Sequence, residues 1–260
     1  MVRREPNMDE SARKPPARGV YILPNMLTTA SLFSGFLGIL WAISGQYEYT
    51  AIAILVSCVF DGLDGKVARL TGTSSDFGVQ FDSLADLVAF GVTPAIMVYQ
   101  WQLAQFKNLG IMASFLLVAC GALRLARFNV LTKTSNRKFF LGLPIPAQAC
   151  TVATFYLFSE CLPSDWQSVV PKVCLGLVYV LSFLMVSRVR YASFKEYGLI
   201  KAHPFSMMVT AILLFVMVAS QPKLLGFVIF VGYILSGVFY TYFVLPRRTS
   251  LREPSEELSS

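Results

Sequence analysis

The chain has 260 residues, 55% of them hydrophobic and only 14% charged, and its mean hydropathy is +0.59. A soluble domain of that length needs far more charge to cover its surface, so the composition excludes one and requires most of the chain to face lipid or other membrane segments. The net charge of +7 fits nucleic acid, anionic lipid or membrane topology as its cause, and the positions of the charges decide among these.

Residues 1–20 are polar and contain prolines, with no apolar stretch ahead of the first span. They predict a disordered cytoplasmic segment and no cleavable secretory signal. Crossing a bilayer takes about 20 mostly apolar residues. Eight stretches qualify, at 26–44, 50–69, 82–101, 110–128, 144–162, 168–187, 204–220 and 224–244, and a polar tail follows over 246–260. The short connections predict one compact helical bundle without internal repeats. With the N-terminus in the cytoplasm, only Lys107, Lys172 and Lys223 fall on the outer side, as the distribution of Lys and Arg in membrane proteins requires. The basic charge is then topological, nucleic acid loses its support as a partner, and both termini lie inside.

The first span opens on Pro24-Asn25, where Asn25 either caps the helix or meets a nucleotide. Its Gly35 and Gly38 form a small-residue face that leaves room for a homodimer. The second span ends in DGLDGKVAR, residues 61–69. Asp61, Asp64, Gly65, Ala68 and Arg69 are three or four apart and share one helix face. A polar turn, TGTSSDFG, then leads into the third span, where Asp82 and Asp86 are also four apart. The turn returns the helices antiparallel, so the two Asp pairs face each other near the cytoplasmic edge.

The fourth span ends in RLARFNV. Arg124 and Arg127, three apart, are predicted to point the same way, with Asn129 and Arg137 close behind. They read either as snorkelling anchors or as a cationic patch facing the aspartates, suited to a carboxylate or a phosphate. Gly142-Leu143-Pro144-Ile145-Pro146 predicts a rigid start to the fifth span. Cys58, Cys120, Cys150, Cys161 and Cys174 are scattered singly and predict small core residues rather than metal ligands. His203, the sole histidine, sits beside Pro204 and belongs to no site pattern.

Asp61, Asp64, Asp82 and Asp86 repel one another when packed together, and burial penalises each further. Divalent cations are the natural compensation. Oxygen ligands without His or Cys suit magnesium or manganese, with calcium a further candidate, and four carboxylates suit a pair of ions. Gly65 and Gly78 leave space where a phosphate or nucleotide would approach the helices closely. Interfacial helix-end charge accounts for Asp76, but not for two pairs in helical register on adjacent spans.

The pattern D-x-x-D-G-x-x-A-R-x8-G-x3-D-x3-D, filled by Asp61, Asp64, Gly65, Ala68, Arg69, Gly78, Asp82 and Asp86, resembles the signature of the CDP-alcohol phosphotransferases, membrane enzymes of phospholipid synthesis. The stretches LPNMLTTASLFSG, DSLADLVAFGVTPA, RLARFNV and FFLGLPIPAQA are similar to the phosphatidylserine synthase branch. The resemblance implies an all-α integral membrane protein with a six-helix core over residues 21–190, two additional helices over 191–245, and an active site open to the cytoplasm at the inner or plasma membrane. It implies two divalent cations held by the four aspartates, with Asp86 also the general base. Gly65, Arg69, Ser75, Gly78 and Asn25 would contact the donor, CDP-diacylglycerol. Arg124, Arg127, Asn129 and Arg137 would bind acceptor or phosphate, and L-serine would take the phosphatidyl group with release of CMP. Glycerol 3-phosphate and inositol phosphate stay open as acceptors, and a divalent-cation transporter is the reading from a different class. Nothing in the last two spans suggests chemistry.

Overall fold

A computed structural model of the chain describes residues 22–72, 75–134, 140–187, 189–191 and 222–244. The expected span at 204–220, the segments 1–20 and 246–260, His203 and Arg137 lie outside the described residues. Seven helices occupy the other expected spans: α1 (Ile22–Ile43), α2 (Tyr47–Thr71), α3 (Asp76–Phe106), α4 (Asn108–Thr134), α5 (Ile145–Ser159), α6 (Val170–Val186) and α7 (Pro222–Phe239). Extended pairing among the described residues is confined to Phe140 with Tyr191 and Leu141 with Arg190. The class is therefore all-α. Among the described residues, four helices are long and apolar enough to cross a membrane, over Leu23–Ile43, Asp76–Phe106, Asn108–Leu131 and Lys223–Tyr242. Phe33, Phe115 and Phe183 point outward with 60%, 64% and 66% of their surface exposed, as expected of faces meeting hydrocarbon and not water. The chain is an integral membrane protein.

α1 and α2 are joined by a ladder of small polar side chains. The Thr28 hydroxyl donates to Asp64 Oδ2 at 2.8 Å, and the Ser31 and Ser57 hydroxyls meet at 2.7 Å. Ser34 donates to the Ala53 carbonyl at 2.9 Å, and Thr50 to the Gly38 carbonyl at 3.1 Å. Small residues let two backbones come close, and hydroxyls then bond across the seam where no water competes. α3 crosses the other side of α1 at Gly35, where a Cβ would stand 2.7 Å from the Ala89 Cα, while a Cβ on Gly38 would stand 2.8 Å from Thr93 Cγ2. Both glycines of the small-residue face therefore serve contacts within the chain.

α3 is not uniform. Its first segment, Asp76–Asp86, is α-helical, and Leu87–Val92 widens to a π turn. The cause is local, because Pro94 has no N–H to give and its ring crowds the carbonyl four residues back, at Phe90. Thr93 bonds the loosened backbone, donating from its hydroxyl to the carbonyls of Val88 at 2.9 Å and Gly35 at 3.0 Å.

α5 has 15 residues, fewer than the expected 144–162. Pro144 precedes it in an extended conformation and Pro146 lies in its first turn, where a missing N–H is harmless. Nearly all of α5 is buried, packed between α2, α3 and α7, so it needs neither a lipid-facing surface nor the length of a lone span. Gly142, with φ +83, makes the approach tight, for a Cβ there would collide with the Met185 carbonyl. Among the cysteines, Cys120, Cys150 and Cys174 are buried and Cys58 partly so, but Cys161 is exposed beyond the end of α5, which corrects its expected place in the core.

Candidate active site

The site forms where α2 ends and α3 begins. α2 stops at Thr71 because Gly72 adopts the left-handed conformation, φ 65, and returns its N–H to the Ala68 carbonyl. α3 starts at Asp76 because the Ser75 hydroxyl accepts the Gly78 N–H at 3.0 Å as an N-cap. The reversal sets the two aspartate pairs face to face. Carboxylate oxygens of Asp61, Asp64 and Asp82 lie within 4.8 Å of one another. The Asp86 carboxyl meets that of Asp61 within hydrogen-bonding reach.

Among the described residues no cation forms an ion pair with this group: the ion pair found there joins Lys223 to Glu48, 3.2 Å apart on distant helix ends. Converging oxygen donors with no ammonium or guanidinium among them form a set that a hard divalent cation fits. Asp64 is 5% exposed, which makes an uncompensated charge there costly. The hydroxyl of Thr28 bonds its carboxylate and orients it. Thr28 belongs to no Asp pattern and the sequence does not single it out, its signal being only its place in the α1 series of small polar residues. Thr28→Val keeps the shape and removes the donor. It is expected to weaken divalent-cation binding roughly tenfold, as loss of a supporting bond to a ligand does. Titrating the protein with magnesium or manganese checks this, and an unaltered midpoint would show that Thr28 does not position the carboxylate.

Beside the carboxylates lies a cleft of about 210 Å³, lined by Asn25 and Thr28 of α1, Asp64, Gly65, Ala68 and Arg69 of α2, and Ser75, Gly78, Val79 and Asp82 at the start of α3. All five residues expected to contact the donor are in this lining. A Cβ on Gly65 would meet only the Arg69 guanidinium, at 3.7 Å, so the glycine gives Arg69 room to lie along the cleft. A Cβ on Gly78 would stand 3.2 Å from the Ser75 hydroxyl and 3.5 Å from the Asn25 amide oxygen, so this glycine lets α1 and α3 close on each other. Asn25 lies inside α1, which begins at Ile22, and so does not cap it.

The four residues expected to bind the acceptor are divided. Arg124 lies within electrostatic reach of Asp86 and of Tyr233 on α7. Arg127 instead turns toward α6, its Nη1 being 3.5 Å from the Val186 carbonyl, where it faces the negative end of that helix. Asn129 donates to the Ser83 hydroxyl at 3.0 Å and so ties α4 to α3. Arg137 is outside the described residues.

A family model described as CDP-alcohol phosphatidyltransferase matches residues 21–180. The chain belongs to this family. Among its relatives, the CDP-diacylglycerol--serine O-phosphatidyltransferase of Helicobacter pylori is 42% identical over 181 residues, covering 70% of this chain and 76% of that protein. An archaetidylserine synthase of Methanothermobacter thermautotrophicus is 40% identical over 174 residues, covering 65% and 69%. A CDP-diacylglycerol--serine O-phosphatidyltransferase of Methanocaldococcus jannaschii is 36% identical over 184 residues, covering 68% and 77%. CDP-alcohol phosphatidyltransferases use divalent metals, in keeping with the acidic group of Asp61, Asp64 and Asp82. The matched region ends within α6, so α7 lies beyond it.

Proposed function

We propose that the chain transfers the phosphatidyl group of CDP-diacylglycerol to the hydroxyl of L-serine, giving phosphatidylserine and CMP. The observation that carries this reading is the convergence of carboxylates from α2 and α3 on one cleft, in a chain similar to enzymes named for that reaction over most of their length. In this reading Asp61, Asp64, Asp82 and Asp86 hold two divalent cations, magnesium or manganese. When bound, the cations supply charge neutralisation of the donor pyrophosphate and of the departing CMP.

The chain's own residues do the rest. Gly65 and Gly78 open the cleft to the pyrophosphate, Arg69 offers its planar fork to phosphate oxygens, and Asn25 and Ser75 border the nucleotide. Asp86 accepts the proton of the serine hydroxyl as that oxygen attacks the phosphorus bearing the diacylglycerol. The bond from phosphorus to the CMP oxygen breaks, CMP leaves with the electron pair, and Asp86 later gives its proton to solvent. Holding the two reactants in line contributes much of the rate in such transfers. Arg124, on the Asp86 side, faces the acceptor. The catalytic core spans 21–190 with two further helices over 191–245, and both termini and the cleft open to the cytoplasm, as the Lys and Arg distribution supports.

The test is CMP release by the purified protein with CDP-diacylglycerol and magnesium or manganese, offering serine, glycerol 3-phosphate and inositol phosphate separately. Release is expected with serine alone and is expected to vanish on chelation of the metal. Release with a different acceptor would retain the chemistry and overturn serine. Metal flux without any release would favour the transporter.

A further inference from the structure

Two polar side chains carry buried atoms without a hydrogen-bond partner and have no part in the donor site. Gln148 on α5 is 0% exposed, and neither its amide nitrogen nor its amide oxygen is bonded; on Arg124 the buried Nε is likewise unbonded. A buried amide without partners is costly and rare in native proteins, and a bound ligand is one standard reason for it.

Helix register brings Gln148 and Asp61 to one level. α5 runs antiparallel to α2, with Tyr47 against Tyr156, ring centroids 6.1 Å apart, and the Cys58 thiol against that of Cys150. Gln148 lies two residues inward of Cys150 and Asp61 three residues inward of Cys58, so the two differ in depth by less than about one helical turn. α7 packs antiparallel on α5 through Phe227, whose ring is 5.3 Å from that of Phe155 and 5.1 Å from that of Phe158, and through Gly226, where a Cβ would lie 3.2 Å from Thr154 Cγ2. Tyr233 is seven residues beyond Gly226, hence on the same face of α7, and the register sets it beside the Gln148 turn of α5. Lys223 and Glu48 tie the start of α7 to the start of α2. From those ends Tyr233 is about 15 Å and Asp61 about 20 Å along their helices. Arg124 joins the group from α4, within reach of both Asp86 and Tyr233.

We propose that Gln148, Arg124 and Tyr233 form the subsite for the zwitterionic end of the acceptor amino acid, on the far side of Asp86 from the donor cleft. Arg124 takes the carboxylate, the Gln148 amide donates to the carboxylate and accepts from the ammonium, and Tyr233 positions Arg124. The serine hydroxyl is thereby directed at Asp86. This assigns a role to α7, which lies beyond the family match, and it rests on the serine-transfer reading.

Gln148→Leu decides between a ligand group and a structural orphan. The two side chains are similar in size, so a mere orphan replaced by an apolar group leaves folding and kinetics as they were or improves stability. As a ligand group, its loss is expected to raise the KM for serine roughly tenfold or more, the usual effect of removing a hydrogen bond to a charged group, with the KM for CDP-diacylglycerol unchanged. Tyr233→Phe should shift the serine KM in the same direction. Ile234→Ala, which thins the packing of the same helix, should lower thermal stability without altering the ratio of the two KM values. Serinol, which keeps the ammonium but lacks the carboxylate, should be a poor acceptor for the unaltered chain and lose less than serine does in Gln148→Leu. Unchanged serine KM in both Gln148→Leu and Tyr233→Phe, or equal rises for both substrates, would overturn the subsite while leaving the reaction standing. CMP release by the unaltered chain with no dependence on serine would overturn the reaction and the subsite together.

Discussion

Asp86→Asn is expected to bind CDP-diacylglycerol as the unaltered protein does and to lose turnover by about 10² to 10⁴, the usual contribution of a positioned general base. The substitution preserves size and one oxygen but cannot accept the serine proton. Asp61, Asp64 and Asp82 still present their mutually close oxygens, so donor binding has three of its acidic contacts intact. Asp82→Ala is a different kind of change. It removes one of the converging carboxylates and borders the donor cleft, so donor affinity and turnover should fall together. Donor binding measured at equilibrium, alongside single-turnover CMP release, separates the two. A near-normal rate in Asp86→Asn would remove Asp86 as the base, and loss of donor binding in that variant would make it chiefly a ligand.

Gly35→Ala is expected to lower stability and turnover together, although the added methyl lies outside the site. The new Cβ would stand 2.7 Å from the Ala89 Cα, 2.9 Å from its Cβ and 3.3 Å from its nitrogen. Most of that is backbone, which cannot rotate away, so α1 and α3 must separate by about 1 Å to reach an ordinary van der Waals distance. Overpacking of this kind costs typically about 1–3 kcal/mol. The kinetic effect should be larger than the stability effect suggests. α1 carries Asn25 and Thr28 and α3 carries Gly78 and Asp82, the facing walls of the cleft. A shift of about 1 Å between such walls can reduce rate about 100-fold. Adding Ala89→Gly should recover part of the loss, since it takes away the Ala89 methyl and leaves the backbone still crowded. Gly176→Ala is the control, because a Cβ there meets nothing within 4 Å. Thermal unfolding in detergent and CMP release check both variants, and full activity in Gly35→Ala would show that the crossing is looser than the structure has it.

Local residues explain why so much of the site is legible in the sequence. Asp61 and Asp64, and Asp82 and Asp86, share faces because a helix repeats every three to four residues, and Gly72 and Ser75 mark the turn by their backbone and capping preferences. Where expectation and structure part, the missing information is a partner far away in the chain. Thr28 and Asp64 are 36 residues apart, and nothing near Thr28 announces the bond. Arg124 and Arg127 are spaced to face one way, yet helical spacing alone does not say that the next neighbour around α4 is the carbonyl end of α6. Gly35 and Gly38 are indeed a small-residue face, but an intramolecular seam and a dimer seam ask for the same residues. The π turn has its cause in view at Pro94, although α, kinked and π solutions are all open to a proline within a helix.

The sequence by itself determined the membrane class, through hydropathy, and the acidic pairs, the turn between them and the family signature, through spacing along single helices. These are properties of a few consecutive residues, and helical geometry converts them directly into faces. Only the tertiary structure decided which glycines close onto neighbours, which hydroxyl supports Asp64, and which buried polar groups lack a partner. Gln148 reads as one more residue in FFLGLPIPAQA and Tyr233 as one aromatic in an apolar helix. Their meaning lies in the register of α5 and α7 against α2 and α4. That register is set by packing between elements far apart in the chain, and no local pattern encodes it.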